Sequence, residues 1–164
     1  MIKVAILTMS DKGAKGERED ISGAVIREMV EALPAFVVDY EIIPDEADLI
    51  KDRLIEMADH VGADLIITTG GTGVSPRDVT PEATKEVIDR ELPGMAEAMR
   101  AASMKQSPNA MISRAVCGVR GRTLIINLPG SVRAVRENLA VVLPAIPHAV
   151  EKIKGSECEC GGGG

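Results

Sequence analysis

Aromatic side chains are nearly absent: Phe36 and Tyr40 are the only two in 164 residues, and there is no tryptophan. Proteins that hold single-stranded nucleic acid stack successive bases on aromatic rings, and that platform is missing here. The charge agrees. With 25 acidic against 19 basic residues the formal net charge is −6, whereas a general nucleic-acid binder carries a basic excess. Cysteine is scarce as well, and Cys117, Cys158 and Cys160 do not make a disulfide framework. Cys117 stands in an apolar stretch and reads as a small core residue. Cys158 and Cys160 form a Cys-x-Cys pair that could bind a soft metal or oxidise, but there is no second ligand pair, and His60 and His148 have no motif spacing to it. Residues 155–164 therefore read as a flexible Cys/Gly-rich tail. No apolar run approaches the roughly 18 residues of a membrane-spanning helix. The amino terminus, Met-Ile-Lys-Val-Ala-Ile-Leu-Thr, reads as a strand rather than a secretory signal, so a cytoplasmic location is expected.

What the chain does contain is alternation. Its length suits one domain with a proper core, over residues 1–154. Apolar strands are expected over 2–8, 37–43, 63–69, 115–119 and 123–128. Between them fall helical patterns over about 21–33, after Pro44-Asp45-Glu46, over 81–90 and 94–103, and from Ser131 to about Leu143. The first strand runs into a polar loop through Asp20, and Leu92-Pro93-Gly94 separates two of the helices. Arg120-Gly121-Arg122 reads as a hairpin turn. The expected fold is a three-layer α/β domain, a mostly parallel sheet with helices on both faces and one antiparallel strand. Met95, Met99 and Met104 read as core or subunit-contact filler.

The densest stretch is Ile-Ile-Thr-Thr-Gly-Gly-Thr-Gly-Val-Ser-Pro-Arg-Asp-Val-Thr-Pro-Glu-Ala-Thr, residues 66–84. A buried strand ends at a loop whose Gly70, Gly71 and Gly73 let the backbone turn tightly and approach a ligand. A helix follows, with Thr80 as its expected cap, Pro81 at its first position and Glu82 complementing its positive end. Such a loop can cradle a phosphate. It is neither a Walker loop, since no lysine follows Gly73, nor a Gly-x-Gly-x-x-Gly fingerprint.

In an open parallel sheet the ligand crevice lies beyond the carboxyl ends of the strands. Those ends carry Ser10 and Asp11, then Asp45, then the Gly70 loop with Asp78, then Asn127 to Ser131. Between Ala98 and Arg136 lie seven Lys or Arg residues and no acidic one, which suits an anionic ligand, with a solvated basic surface as the alternative. Two helix amino termini and a basic segment facing carboxylates would suit a polyphosphate with Mg²⁺, a cation that takes one or two carboxylates and lets phosphates complete its shell. Asp45 and Asp78 are the candidate ligands. Helix capping or turn chemistry is the other reading of each.

The loop Thr69-Gly70-Gly71-Thr72-Gly73 with Pro76-Arg77-Asp78-Val79-Thr80-Pro81-Glu82-Ala83-Thr84, together with Ile43-Pro44-Asp45-Glu46, Ser113-Arg114 and Asn127-Leu128-Pro129-Gly130-Ser131, resembles the molybdenum cofactor biosynthesis family of MogA/MoaB type. The resemblance runs from Ile2 to about Lys154. It implies an α/β domain that usually forms homotrimers and transfers the adenylyl group of ATP to molybdopterin with Mg²⁺, releasing pyrophosphate, on the way to a molybdenum or tungsten cofactor. It also implies that Asp45 and Asp78 are the catalytic pair. Gly70, Gly71, Thr72 and Gly73 match the family's glycine loop, and Ser113, Arg114, Asn127, Pro129, Gly130 and Ser131 match segments lining the same cleft. Arg114, with Arg77, would offset charge developing on the transferred group. Two other readings stand beside this one: a low-activity MoaB-like paralogue, and a pterin carrier that hands the intermediate to the molybdate-inserting enzyme without chemistry.

Overall fold

The computed structural model describes residues 1–156, so the Cys158 and Cys160 pair lies outside the described residues. Among these residues six strands, β1 (Ile2–Met9), β2 (Ala35–Ile43), β3 (Leu65–Thr69), β4 (Arg90–Glu91), β5 (Cys117–Arg120) and β6 (Thr123–Leu128), form one sheet in the order β2-β1-β3-β6-β5-β4. The first four in that order are parallel, with Val4 opposite Leu65 and Leu65 opposite Leu124. β5 runs antiparallel to both of its neighbours, which is the single reversed strand the hairpin predicts. Gly121 makes that turn with a φ of 54°, a left-handed conformation that favours glycine.

Seven α-helices among the described residues, α1 (Asp11–Ala14), α2 (Ile21–Val30), α3 (Ala47–Ile55), α4 (Thr80–Val87), α5 (Pro93–Met104), α6 (Val132–Val142) and α7 (Ile146–Ile153), surround the sheet. Because successive strand residues point to opposite faces, the central strands feed two cores. Val4, Ile6, Leu65, Ile67, Leu124 and Ile126 meet α2, α5, α6 and α7 on one face. Ala5, Leu7, Ile66 and Ile125 meet α3 and α4 on the other. Strands covered on both sides need apolar residues at every position, which is why 65–67 reads as an unbroken apolar run. Cys117 is buried among the first set, and burial pushes its thiol up to about 12, as befits a core residue rather than a reactive one.

Several boundaries differ from the sequence reading, each for a physical reason. α2 stops at Val30 instead of continuing to Leu33, because Pro34 cannot extend a helix and the last turn closes through i to i+3 bonds such as Leu33 N to Val30 O at 3.0 Å. α4 stops at Val87 rather than reaching Arg90. There the chain is captured by the sheet: Asp89 N donates to Val119 O at 2.7 Å, and Arg90–Glu91 pair with β5 as a short edge strand. The polar stretch after β1 contains α1, capped by Ser10, whose hydroxyl accepts from Gly13 N at 2.9 Å. Beyond the helix expected to end at about Leu143, the chain starts a further helix, α7, at Ile146, burying Ile146 and Val150. Met99 is buried, while Met104 remains partly exposed.

Candidate functional site

The carboxyl ends of β1, β2, β3 and β6 converge, and a cleft with two lobes opens above them. One lobe, of about 790 Å³, is lined by Ser10, Asp11, Asp20, Asp45, Gly70 and Ser22 among others. The other, of about 530 Å³, is lined by Thr72, Gly73, Arg100, Ser113, Pro129 and Arg133 among others. Gly71, Asp78, Gly130 and Ser131 line both lobes and so mark their junction.

The glycine loop is built to pass between two carboxylates. Gly70 and Gly71 have φ of 97° and 67°. A Cβ on Gly70 would lie 2.3 Å from the Met9 carbonyl, and one on Gly71 would lie 2.4 Å from Thr80 Oγ1 and 3.0 Å from Asp45 Oδ1. A Cβ on Gly73 would lie 2.8 Å from Asp78 Oδ2. The loop therefore presses Gly71 toward Asp45 and Gly73 toward Asp78, closer than any other residue type allows. Asp78 Oδ2 also accepts from Ser75 N at 2.9 Å, and Asp78 N donates back to Ser75 O at 2.9 Å. Turn chemistry and site geometry are thus the same feature at Asp78.

Asp45 and Asp11 are locked reciprocally across two strand ends. Asp11 N donates to Asp45 Oδ2 at 3.2 Å, and Asp45 N donates to Asp11 Oδ1 at 3.0 Å. Arg77 grips the Asp11 carboxylate through two bonds, at 3.0 and 2.8 Å. That guanidinium, with the Asp45 amide, holds the Asp11 carboxyl below its ordinary range. The half-buried Asp45 carboxyl is pushed the other way, first by burial and then by the charge of Asp11, with a smaller push from Asp78. The cleft therefore carries surplus negative charge at Asp45. Among the described residues no three His, Cys, Asp or Glu side chains gather into a ready cation cage, so a cation here would draw its remaining ligands from a bound anion.

Not every expected residue faces the cleft. Asn127 is fully buried. Its amide donates to Thr68 Oγ1 at 3.0 Å and Thr84 Oγ1 at 3.1 Å, and its oxygen accepts from Val116 N at 3.1 Å. It pins β6 to β3, α4 and the segment leading into β5, and lines neither lobe. Asn127→Leu, which strands three polar partners in the interior, is expected to cost about 2–4 kcal/mol of stability in urea unfolding. Arg77 also lies outside both lobes, paired with Asp11 beside Asp45. Thr80 does not cap α4. It is buried, donates to Gly70 O at 3.0 Å and fastens the glycine loop to the helix. The α6 amino terminus does face the cleft, capped by Ser131, which accepts from Ala134 N at 3.3 Å. The other helix termini there belong to α1 and α2 rather than α4.

Asp20 is the residue the sequence reading missed. Its carboxylate caps α2 through Gly23 N at 3.0 Å and accepts from Thr8 Oγ1 at 2.6 Å and from the Tyr40 hydroxyl. Ser22, two residues on, donates to Gly130 O at 2.8 Å, tying α2 to the β6 turn. Only the Asp-x-Ser spacing before a helical pattern hints at this, as a capping signal. The basic segment is split by the fold: Arg100 and Arg133 line one lobe, while Arg120 pairs with Asp59 far from it, beside Arg122 at the opposite end of the strands.

A family model described as "Probable molybdopterin binding domain" matches residues 5–148. The molybdopterin adenylyltransferase of Helicobacter pylori strain J99 is 47% identical over 157 residues, covering 94% of this chain and 89% of the relative. The crystal structure of the molybdopterin biosynthesis enzyme MoaB from Thermus thermophilus superposes with a TM-score of 0.90 at 53% identity, covering 95% of this chain and 98% of the other. The tungsten cofactor synthesizing protein MoaB from Pyrococcus furiosus superposes with a TM-score of 0.85 at 39% identity, covering 93% and 97%.

Proposed function

The chain belongs to the molybdopterin-binding domain family, and from that premise we propose that it transfers the adenylyl group of ATP to the terminal phosphate of molybdopterin, releasing pyrophosphate, within molybdenum cofactor biosynthesis. The carrying observation is the junction of the two lobes, where Asp78 and the glycine loop border both. A reaction between two substrates needs two adjoining subsites with the reacting atoms at their boundary.

The chemistry asks for little acid or base. Molybdopterin's phosphate is anionic near neutral pH, so one of its oxygens attacks the α-phosphorus directly. A P–O bond forms there as the bond to pyrophosphate breaks, and no proton need move. What the protein supplies is alignment and charge compensation. The Gly70 amide is spent on Leu128 O at 3.1 Å, which leaves the amides of Gly71 to Gly73 to face phosphate oxygens. Ser131 and the α6 amino terminus add donors, and Arg100 and Arg133 add positive charge in the second lobe. Ser10 and Asp11 border the first lobe and Ser113 and Pro129 the second.

Mg²⁺ fits the acidic junction: Asp45 and Asp78 would hold it, and the unfavourable charge on Asp45 is what a divalent cation relieves. When bound it would neutralise phosphate charge and ease departure of pyrophosphate. The same proposal takes residues 1–154 as the adenylyltransferase domain, a cytoplasmic location, assembly as a homotrimer and hand-off to the molybdate-inserting enzyme. Exposed Met104, Met111 and Ile112 offer apolar surface for such contacts.

The test is pyrophosphate release by the purified protein. Release that requires molybdopterin, ATP and Mg²⁺ together is the expected result. Tight pterin binding without release would replace the enzyme with the carrier or inactive-paralogue reading.

A further inference from the structure

We infer that Arg114 serves the adenylyl-transfer site without touching either substrate: it clamps both ends of the 73–78 loop and so fixes where the Asp78 carboxylate stands. This rests on the proposed reaction and replaces the expectation that Arg114 offsets charge on the transferred group. Its backbone N–H donates to Thr72 O at 2.8 Å, its Nε to Gly73 O at 2.7 Å and its Nη2 to Asp78 O at 2.8 Å. The remaining arm pairs with the Glu82 carboxylate on α4. One residue thus satisfies the carbonyls on either side of the loop, and it lines neither lobe, although Ser113 before it and Asp78 at the loop's end do.

Within the loop the Ser75–Asp78 bonds shape the turn and Arg77 reaches out to Asp11, but the Arg114 side chain is what ties the Gly73 and Asp78 carbonyls at its two ends together. Val74, Ser75, Pro76 and Arg77 are exposed and form no helix or strand. The clamp itself is well founded, because Arg100 donates to Ala115 O at 3.0 Å and Ser113 O at 3.4 Å, fixing the backbone on both sides of Arg114. A planar guanidinium can address two carbonyls and a carboxylate at once, whereas a lysine ammonium is a compact point donor on a flexible stem. Arg114→Lys keeps the charge and loses the fork, so it separates positioning from electrostatics.

The experiment compares wild type with Arg114→Lys and Arg114→Ala by hydrogen exchange and by steady-state pyrophosphate release. The amides of Ser75 and Asp78, which are bonded within the loop, are expected to exchange at least about tenfold faster in both variants. Turnover of Arg114→Lys is expected to fall about 10- to 100-fold, as misplacement of a catalytic group does, with KM for both substrates within about threefold. Guanidinium ion at low concentration is expected to restore part of the turnover of Arg114→Ala. A raised KM at unchanged turnover would make Arg114 a substrate contact, and faster exchange with unchanged turnover would reduce it to a structural brace. Either overturns the inference. The exchange readout needs no substrate, so if wild type releases no pyrophosphate, the functional reading fails separately from the clamp.

Discussion

Replacing Asp78 with asparagine is expected to cut turnover by about 10²- to 10³-fold, the usual scale for removing one preorganised electrostatic contact, while changing ligand affinity much less. Asparagine is nearly isosteric, and its side-chain oxygen can still accept from Ser75 N, the bond that Asp78 Oδ2 now makes at 2.9 Å. The Arg114 contact to residue 78 is to the backbone carbonyl and survives the change. Loop shape is therefore kept and only the charge at the lobe junction is lost. Steady-state pyrophosphate release beside thermal unfolding of the same preparation checks this. A variant with full turnover would remove Asp78 from the chemistry, and one with raised KM alone would make it a binding residue.

The contrast between Asp78 and Asn127 shows what the sequence makes legible. Both follow or end apolar strands within recognisable motifs, and both read as cleft residues. Asp78 lies in a glycine loop whose close approach to carboxylates requires residues without a Cβ, so composition and placement coincide. Asn127 ends a buried strand, where an amide is tolerated only if all its polar atoms find partners, and Thr68, Thr84 and Val116 supply them from elsewhere in the chain. The partners that settle the role of Asn127 are not visible from its own neighbours in the sequence. The parallel strands and the hairpin were readable because apolar runs and a central glycine are local signals. Edge strand β4 was not, since two residues, Arg90 and Glu91, become a strand only by pairing with β5. Asp20 and Arg114 belong with Asn127: partners that define their place are distant in sequence, as the 12 residues from Thr8 to Asp20 and the 41 from Gly73 to Arg114 show.

Asp45→Asn should separate function from stability by moving them in opposite directions. Turnover is expected to fall with that of Asp78→Asn, yet the metal-free protein should unfold at a higher temperature, by about 1–3 °C at pH 7 for a domain of this size and a half-exposed group. The reason lies in the site's unbalanced charge: burial, then Asp11, then more weakly Asp78 disfavour the ionised Asp45 carboxyl in the folded state. A group whose folded pKa is raised contributes its stability below the unfolded carboxylate range and loses it as pH rises through the folded value. At neutral pH wild type therefore carries a cost that asparagine does not, while the side-chain oxygen of asparagine can still accept from Asp11 N, now 3.2 Å from Asp45 Oδ2. The gap between variant and wild type should close as the pH is lowered toward about 4, the ordinary carboxylate range. Added Mg²⁺ should raise the unfolding temperature of wild type more than that of the variant, because only wild type offers the charge that the cation relieves. Thermal scans in chelator and in Mg²⁺ at two pH values measure all of this. A variant less stable than wild type in chelator would mean that Asp45 is a structural bridge between strand ends, and the stored charge would no longer account for its place in the cleft.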